Sequence, residues 1–299
     1  MTIDQITNAV VTVTLIEMMI TIGLGVTIGE LLSVARNWRL MAKAAVANYV
    51  CVPAVTIGLL MLFRVQPMAA AGFLILAVCP GAPYGPPFTS IAKGNATVAV
   101  GLMVLLAGSS AIIAPLLLGL LLPFMAGDAP LQVDTVKIVR TLLVTQLLPL
   151  CVGLSVRHLR PALAERLLKP ANLSSKVLNL LACSLIVGTQ YRMLSEIRLL
   201  GYFGMLLLLL ASFGAGWVFG GPGAENRKAL TLTTSLRNVG VGLVIATGNF
   251  AGTPAVTAAL AYGIIEILAS LLLALWWGKH SASASAPAED AQLLKPGKR

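Results

Sequence analysis

The chain has 299 residues, of which 58% are hydrophobic and 11% charged, with a formal net charge of +10. An ordinary soluble domain carries about 45–50% apolar and about 25% charged residues, so this composition excludes a soluble globular enzyme. The basic excess is spread over short loops between apolar stretches instead of gathered in one patch, which is how membrane orientation distributes charge and which excludes nucleic acid as a partner.

Apolar stretches of about 20 residues, the length needed to cross about 30 Å of hydrocarbon, predict nine transmembrane helices. They fall over about 9 to 30, 44 to 63, 68 to 90, 96 to 125, 134 to 156, 176 to 195, 199 to 220, 229 to 250 and 254 to 277. The N-terminal segment carries Asp4 and no basic region, so the first span is expected to be retained, not cleaved as a signal peptide. With the N-terminus outside, fifteen Lys and Arg residues lie in inner segments, Lys176 and Lys228 among them, and five lie opposite: Arg64, Lys137, Arg140, Arg192 and Arg198. The positive-inside rule then places the C-terminus in the cytoplasm, and the expected location is a bacterial inner membrane with lipid as the surrounding partner. Cys51, Cys79, Cys151 and Cys183 all fall in apolar spans without metal-site or redox spacing, so no metal is expected. The end, from His280 to Arg299, is small, polar and Pro-containing, and is expected to be flexible.

Two spans are interrupted. The third contains Pro80-Gly81-Ala82-Pro83-Tyr84-Gly85-Pro86-Pro87, and the eighth contains Thr233-Thr234-Ser235-Leu236-Arg237-Asn238-Val239-Gly240. Ile91-Ala92-Lys93-Gly94-Asn95 closes the first and Ile245-Ala246-Thr247-Gly248-Asn249 the second. Broken helices at corresponding positions of two inverted halves point to a transporter binding site, because backbone freed at membrane depth must be satisfied by protein or by a polar cavity. A proline kink or a loop between two shorter spans is the plainer alternative. An arginine at mid-span costs about 2.5–3.5 kcal/mol on insertion scales, so Arg237 is expected to face a cavity or a partner. Glu266 in the ninth span and Glu17 in the first are the other charges at depth, and either can pair with Arg237 or sit protonated. Asn238 offers a donor and an acceptor beside it.

These stretches resemble the bile acid:sodium symporter family over nearly the whole chain. The resemblance rests on Thr21 to Ile28, Val52-Pro53-Ala54-Val55, Cys79-Pro80-Gly81 with Ile91 to Asn95, and Arg237-Asn238-Val239-Gly240. It implies an all-α integral membrane fold: an inverted repeat with two broken, crossing helices, a panel domain and a core domain, with nine helices in members that lack the first. The implied division is 1–63 for the first panel and first core helix, 64–127 for the core with the first broken helix, 128–198 for panel helices, 199–278 for the core with the second broken helix, and 279–299 for the tail. Sodium-coupled uptake of organic anions, by an elevator-like or rocking cycle, is the activity it implies.

The chain departs from the family at the sodium ligands. Gly85 and Pro86 replace a Ser-Asn pair, Ala99 and Met103 replace hydroxyl residues, Thr233 replaces a Glu and Arg237 replaces a Gln. Sodium requires oxygen ligands, so no cofactor ion is expected, or a weakly bound one. Arg237 then reads as a fixed positive charge that holds the crossover or pairs with an anionic solute. The expected activity is secondary transport of a small organic anion or amphipathic carboxylate, with Ala82, Pro83, Tyr84, Gly85, Arg237, Asn238 and Gly240 as the binding residues. Pro83, Pro86 and Pro87 lack N–H groups and weaken the anion cradle, which leaves open a neutral, sterol-like solute stacked on Tyr84. A receptor that has kept the transporter fold without transporting is a further alternative. No intramembrane constellation of acids, Ser/His dyad or HExxH motif supports an enzyme.

Overall fold

The computed structural model describes residues 2–126, 131 and 133–293, and every regular element among them is helical. α1 (Ile3–Gly25) starts at a capping box between Thr2 and Gln5, and a second box, Thr27 with Glu30, opens the short α2 (Ile28–Ala35). Each box satisfies two N–H groups that a helix start would otherwise leave bare. The first span therefore ends at Gly25, short of the expected residue 30.

α3 (Trp38–Val46) and α4 (Val52–Leu62) form one membrane-length helix through a wide π-helical turn at Ala47–Cys51. α8 (Thr135–Leu142) and α9 (Leu148–Leu159) join in the same way through Leu143–Leu147. Each wide turn precedes a proline, Pro53 or Pro149, whose missing N–H and bulky ring the extra residue accommodates. α7 (Ala96–Ala126) and α11 (Leu199–Phe219) run uninterrupted.

The third expected span is broken into α5 (Pro67–Ala77) and α6 (Gly85–Ile91), the eighth into α12 (Ala224–Ser235) and α13 (Val239–Asn249). Eight helices among the described residues are long and apolar enough to cross a membrane, against the nine expected. The difference lies in the third span, because neither α5 nor α6 has spanning length.

α10 (Pro161–Ser195) has 35 residues and runs straight through Pro170, so the segment from 161 to 175, expected as loop, is helix. At 1.5 Å per residue it is about 50 Å long. α14 (Pro254–Leu293) continues into the expected tail, and residues 294–299 lie outside the described set.

α1 packs against α9 and α10, where Gly23 and Gly153 face each other so closely that a Cβ on Gly23 would lie 2.5 Å from Leu150 O. α5 packs on α14, α11 on α12, and α6 on α7 and α12. The broken helices sit in the middle of this second group, with Thr233, Thr234, Ser235, Arg237 and Asn238 all buried.

Candidate solute cavity and crossover site

The two breaks are hydrogen-bonded to each other. Asn238 donates its backbone N–H to Cys79 O at 2.7 Å and its Nδ2 to Gly81 O at 3.3 Å, while its Oδ1 accepts from Val241 N and caps α13. Gly81 turns the chain at φ +90°, and a Cβ there would lie 2.5 Å from Ala107 N. Both conditions exclude any residue with a side chain.

Arg237 sits in the second break and is 1% exposed. Its guanidinium has five N–H groups, and five oxygens take them. Nε donates to Leu76 O at 3.1 Å, Nη1 to Asn48 Oδ1 at 2.7 Å and to Thr234 O at 3.2 Å, and Nη2 to Asn48 O at 3.4 Å and to Ala77 O. Leu76 and Ala77 end α5 and Thr234 lies in the last turn of α12, where carbonyls lack the usual helical partner and carry partial negative charge, although Leu76 O also accepts Cys79 N–H at 3.0 Å. Asn48 O is free because the wide turn sends Val52 N–H to Ala47 O, one residue further back, and Pro53 has no N–H to replace it. Asn48 is held in turn by bonds from its Nδ2 to Ala44 O and Thr234 Oγ1. The guanidinium thus occupies a cage of carbonyl-type oxygens built by three helix irregularities.

The acids at depth are placed differently from the expected network. Glu266 is fully buried and accepts the backbone N–H of Arg237 at 2.8 Å, not its guanidinium, while its second oxygen has no hydrogen-bond partner among the described residues. Glu17 is remote from Arg237 in bonding: it accepts from Thr21 Oγ1 at 2.9 Å and from Ser175 Oγ, and so ties α1 to α10.

A cavity of about 360 Å³ opens between the first break and these two helices. Pro83, Tyr84, Pro86 and Pro87 form one wall, Met18, Thr21 and Ile22 a second, and Asn172, Ser175, Lys176 and Asn179 a third. A smaller recess of about 50 Å³ continues past Tyr84 to Arg237, Val239 and Gly240. Of the expected binding residues, Pro83, Tyr84, Arg237 and Gly240 line these spaces. Ala82 is buried in an apolar cluster, Gly85 is packed on Thr233, and Asn238 is buried as a cap.

Helix N-termini supply few free donors here. In α6, Gly85 N–H and Phe88 N–H go to Ala82 O and Tyr84 O, and Pro86 and Pro87 have none. In the first turn of α13, Val239, Val241 and Gly242 N–H are taken, which leaves Gly240 N–H without a partner among the described residues.

The sequence model of the sodium bile acid symporter family matches residues 12–214, from α1 into α11. The chain belongs to this family. It is an integral membrane protein of a transporter family and not an enzyme. A protein of Bacillus subtilis (strain 168) named as an uncharacterized sodium-dependent transporter, YocS, is 24% identical over 267 residues, which cover 87% of this chain and 80% of that one. Arg237 lies beyond the stretch that the family model matches, on the side of the chain where the expected sodium ligands Glu and Gln are replaced.

Sequence reading missed Asn48, Lys176 and the polar residues beside Lys176. Lys176 was assigned to an inner loop, but it lies near the middle of α10, and neighbouring Ser175 bonds Glu17, eight residues before the end of α1. That places it about 12 Å inside that end of the helix at 1.5 Å per residue. The stripe Leu168, Asn172, Lys176, Asn179, Cys183 at helical spacing carries the signal, once the helix is continued through Pro170.

Proposed function

We propose that this chain is a sodium-independent secondary transporter of a small organic anion or amphipathic carboxylate, in which the Arg237 guanidinium takes the place of a bound cation at the crossover. The observation that carries the reading is the cage: five oxygens from Asn48, Leu76, Ala77 and Thr234 are the ligand type a hard cation requires, and a tethered cation fills them. The other family ligand positions offer little. Gly85, Pro86, Ala99 and Met103 have no side-chain oxygen, and Thr233 Oγ1 donates to Ala229 O at 2.8 Å. The residues present therefore do not fit a sodium site. The anionic solute is supported by the cavity wall, whose one charged lining residue is Lys176.

In this reading the guanidinium is a structural cation, with no N–H left for solute, and it holds the breaks in the shape that the family achieves with ions. The solute binds between the break and α1/α10, and the two helix groups move relative to each other to expose it on alternate sides. Uptake into reconstituted vesicles is expected to be unchanged when sodium is replaced by potassium or choline. Uptake that saturates with sodium concentration would overturn the proposal and align this chain with the sodium-dependent name of its relative.

A neutral, ring-bearing solute is the second reading. It is favoured by the Tyr84 ring, which lines both the cavity and the recess among proline and methionine side chains.

A further inference from the structure

The cavity has a chemical asymmetry that neither the family nor the crossover explains. Lys176 lines it and, among the described residues, makes no hydrogen bond or ion pair. An unpaired ammonium about 12 Å inside the end of a membrane-length helix is costly unless the space it faces supplies an anion or water.

The polar groups around it are oriented the opposite way. Thr21 Oγ1 and Ser175 Oγ both give their protons to Glu17, and Ser175 Oγ lies 3.3 Å from Thr21 Oγ1, so neither hydroxyl has a proton to spare for the cavity. Asn172 Nδ2 donates one proton to Leu168 O at 2.8 Å, and Asn179 Nδ2 donates to Ser175 O at 2.9 Å and to Met18 Sδ at 3.7 Å, which leaves both amide oxygens as acceptors and one Asn172 N–H as a donor. Pro83, Pro86 and Pro87 on the facing wall have no N–H at all. The cavity therefore offers one cation and a row richer in acceptors than in free donors, with the half-buried Glu17 carboxylate fixing the polarity of two hydroxyls.

We propose that Lys176 holds the anionic group of the solute, and that the acceptor row set by Glu17 selects monoanions carrying a hydrogen-bond donor within about one helical turn, ~5 Å, of that group. A second anionic group at the donor's position meets mainly lone pairs and is disfavoured. Like charges and unpaired acceptors at a partly dry site discriminate more strongly than a missing methylene does. The inference rests on the organic-anion reading above and assigns its recognition to α10, leaving Arg237 out of solute contact.

Four probes of one shape test it: 3-hydroxybenzoate, benzoate, 3-hydroxybenzamide and isophthalate, titrated by calorimetry into the purified full chain in detergent. Expected for the unmodified protein is the order 3-hydroxybenzoate tightest, then benzoate, then isophthalate. K176Q is expected to weaken both benzoates about tenfold, equivalent to about 1.4 kcal/mol, without changing 3-hydroxybenzamide, and K176R to restore them. E17Q, which leaves a donor in the cluster, is expected to narrow the gap between isophthalate and 3-hydroxybenzoate.

Equal loss of the benzoates and the benzamide in K176Q would assign Lys176 a structural role and overturn the proposal. So would isophthalate binding as tightly as 3-hydroxybenzoate to the unmodified chain. Failure of all three anions to bind the unmodified protein would overturn the organic-anion reading itself. Anion binding that K176Q leaves intact would overturn only the assignment to Lys176.

Discussion

Arg237 concentrates more polar bonding than any other side chain in the molecule's interior, and its neighbours are committed to it. Removing the guanidinium would leave four buried acceptors without donors, since Leu76 O keeps the Cys79 N–H, and an orphaned buried acceptor costs about 1–3 kcal/mol. Partial relaxation lowers the sum, so Arg237→Met is expected to destabilise the protein by about 3–5 kcal/mol, read as a fall in the thermal unfolding midpoint in detergent. Arg237→Lys, which keeps the charge but has three donors, should lie between. Asn48→Leu removes one of the five acceptors, Oδ1, together with the bond from Nδ2 to Thr234 Oγ1, and is expected to cost about 1–3 kcal/mol. Arg237 was legible in the sequence because a charge far from any span end is rare enough to demand a partner. Asn48 was not, because a lone asparagine in an apolar span looks like any buried polar residue. Its role comes from a wide turn that frees its carbonyl. The expected partner Glu266 is adjacent, but it meets the backbone N–H and leaves the guanidinium to the carbonyls.

At the scale of elements, the breaks could be read because proline, glycine and polar residues stand where a spanning helix needs apolar ones. The extent of α10 could not. Its first fifteen residues carry charges and a proline, and the helix survives because Pro170 lies in the polar stretch while the face through Ala164, Ala182, Ile186 and Gln190 is buried. That error put Lys176 in a loop and hid the cavity's one charge. The close packing of α1 on α9 was equally silent, since isolated glycines in apolar spans carry no pairing information. At such a contact small residues let two backbones approach, a common device between membrane helices. Gly23→Val is expected to force α1 from α9 and cost at least about 1–3 kcal/mol, with earlier thermal unfolding as the measurement. The same substitution at Gly29, where a Cβ meets open space, is the control and should change little.

For the whole molecule, the proposed role of Arg237 as a covalently held cation would change what the cycle can do. In a symporter the ion must bind for the core to take its transport-competent shape and must leave for the cycle to reset, and that obligation transfers energy from the ion gradient to the solute. In the proposed mode, a guanidinium anchored between α12 and α13 would satisfy the same oxygens at every stage. The core is then competent with or without an ion, and a sodium gradient has no differential affinity through which to bias it. Net movement should follow the solute's own electrochemical gradient. Vesicles held at zero membrane potential are expected to fill until internal and external solute are equal, at the same plateau with sodium outside, inside or absent. Efflux from preloaded vesicles should proceed at a rate comparable to uptake. Motion itself can be checked separately: a crosslink between cysteines at Tyr84 and Asn179, which face the same cavity from opposite walls, should stop flux while leaving the unfolding midpoint at or above its original value. Accumulation above the external concentration under an inward sodium gradient would show that an ion still gates the crossover, and that the cage around Arg237 opens during the cycle to admit it.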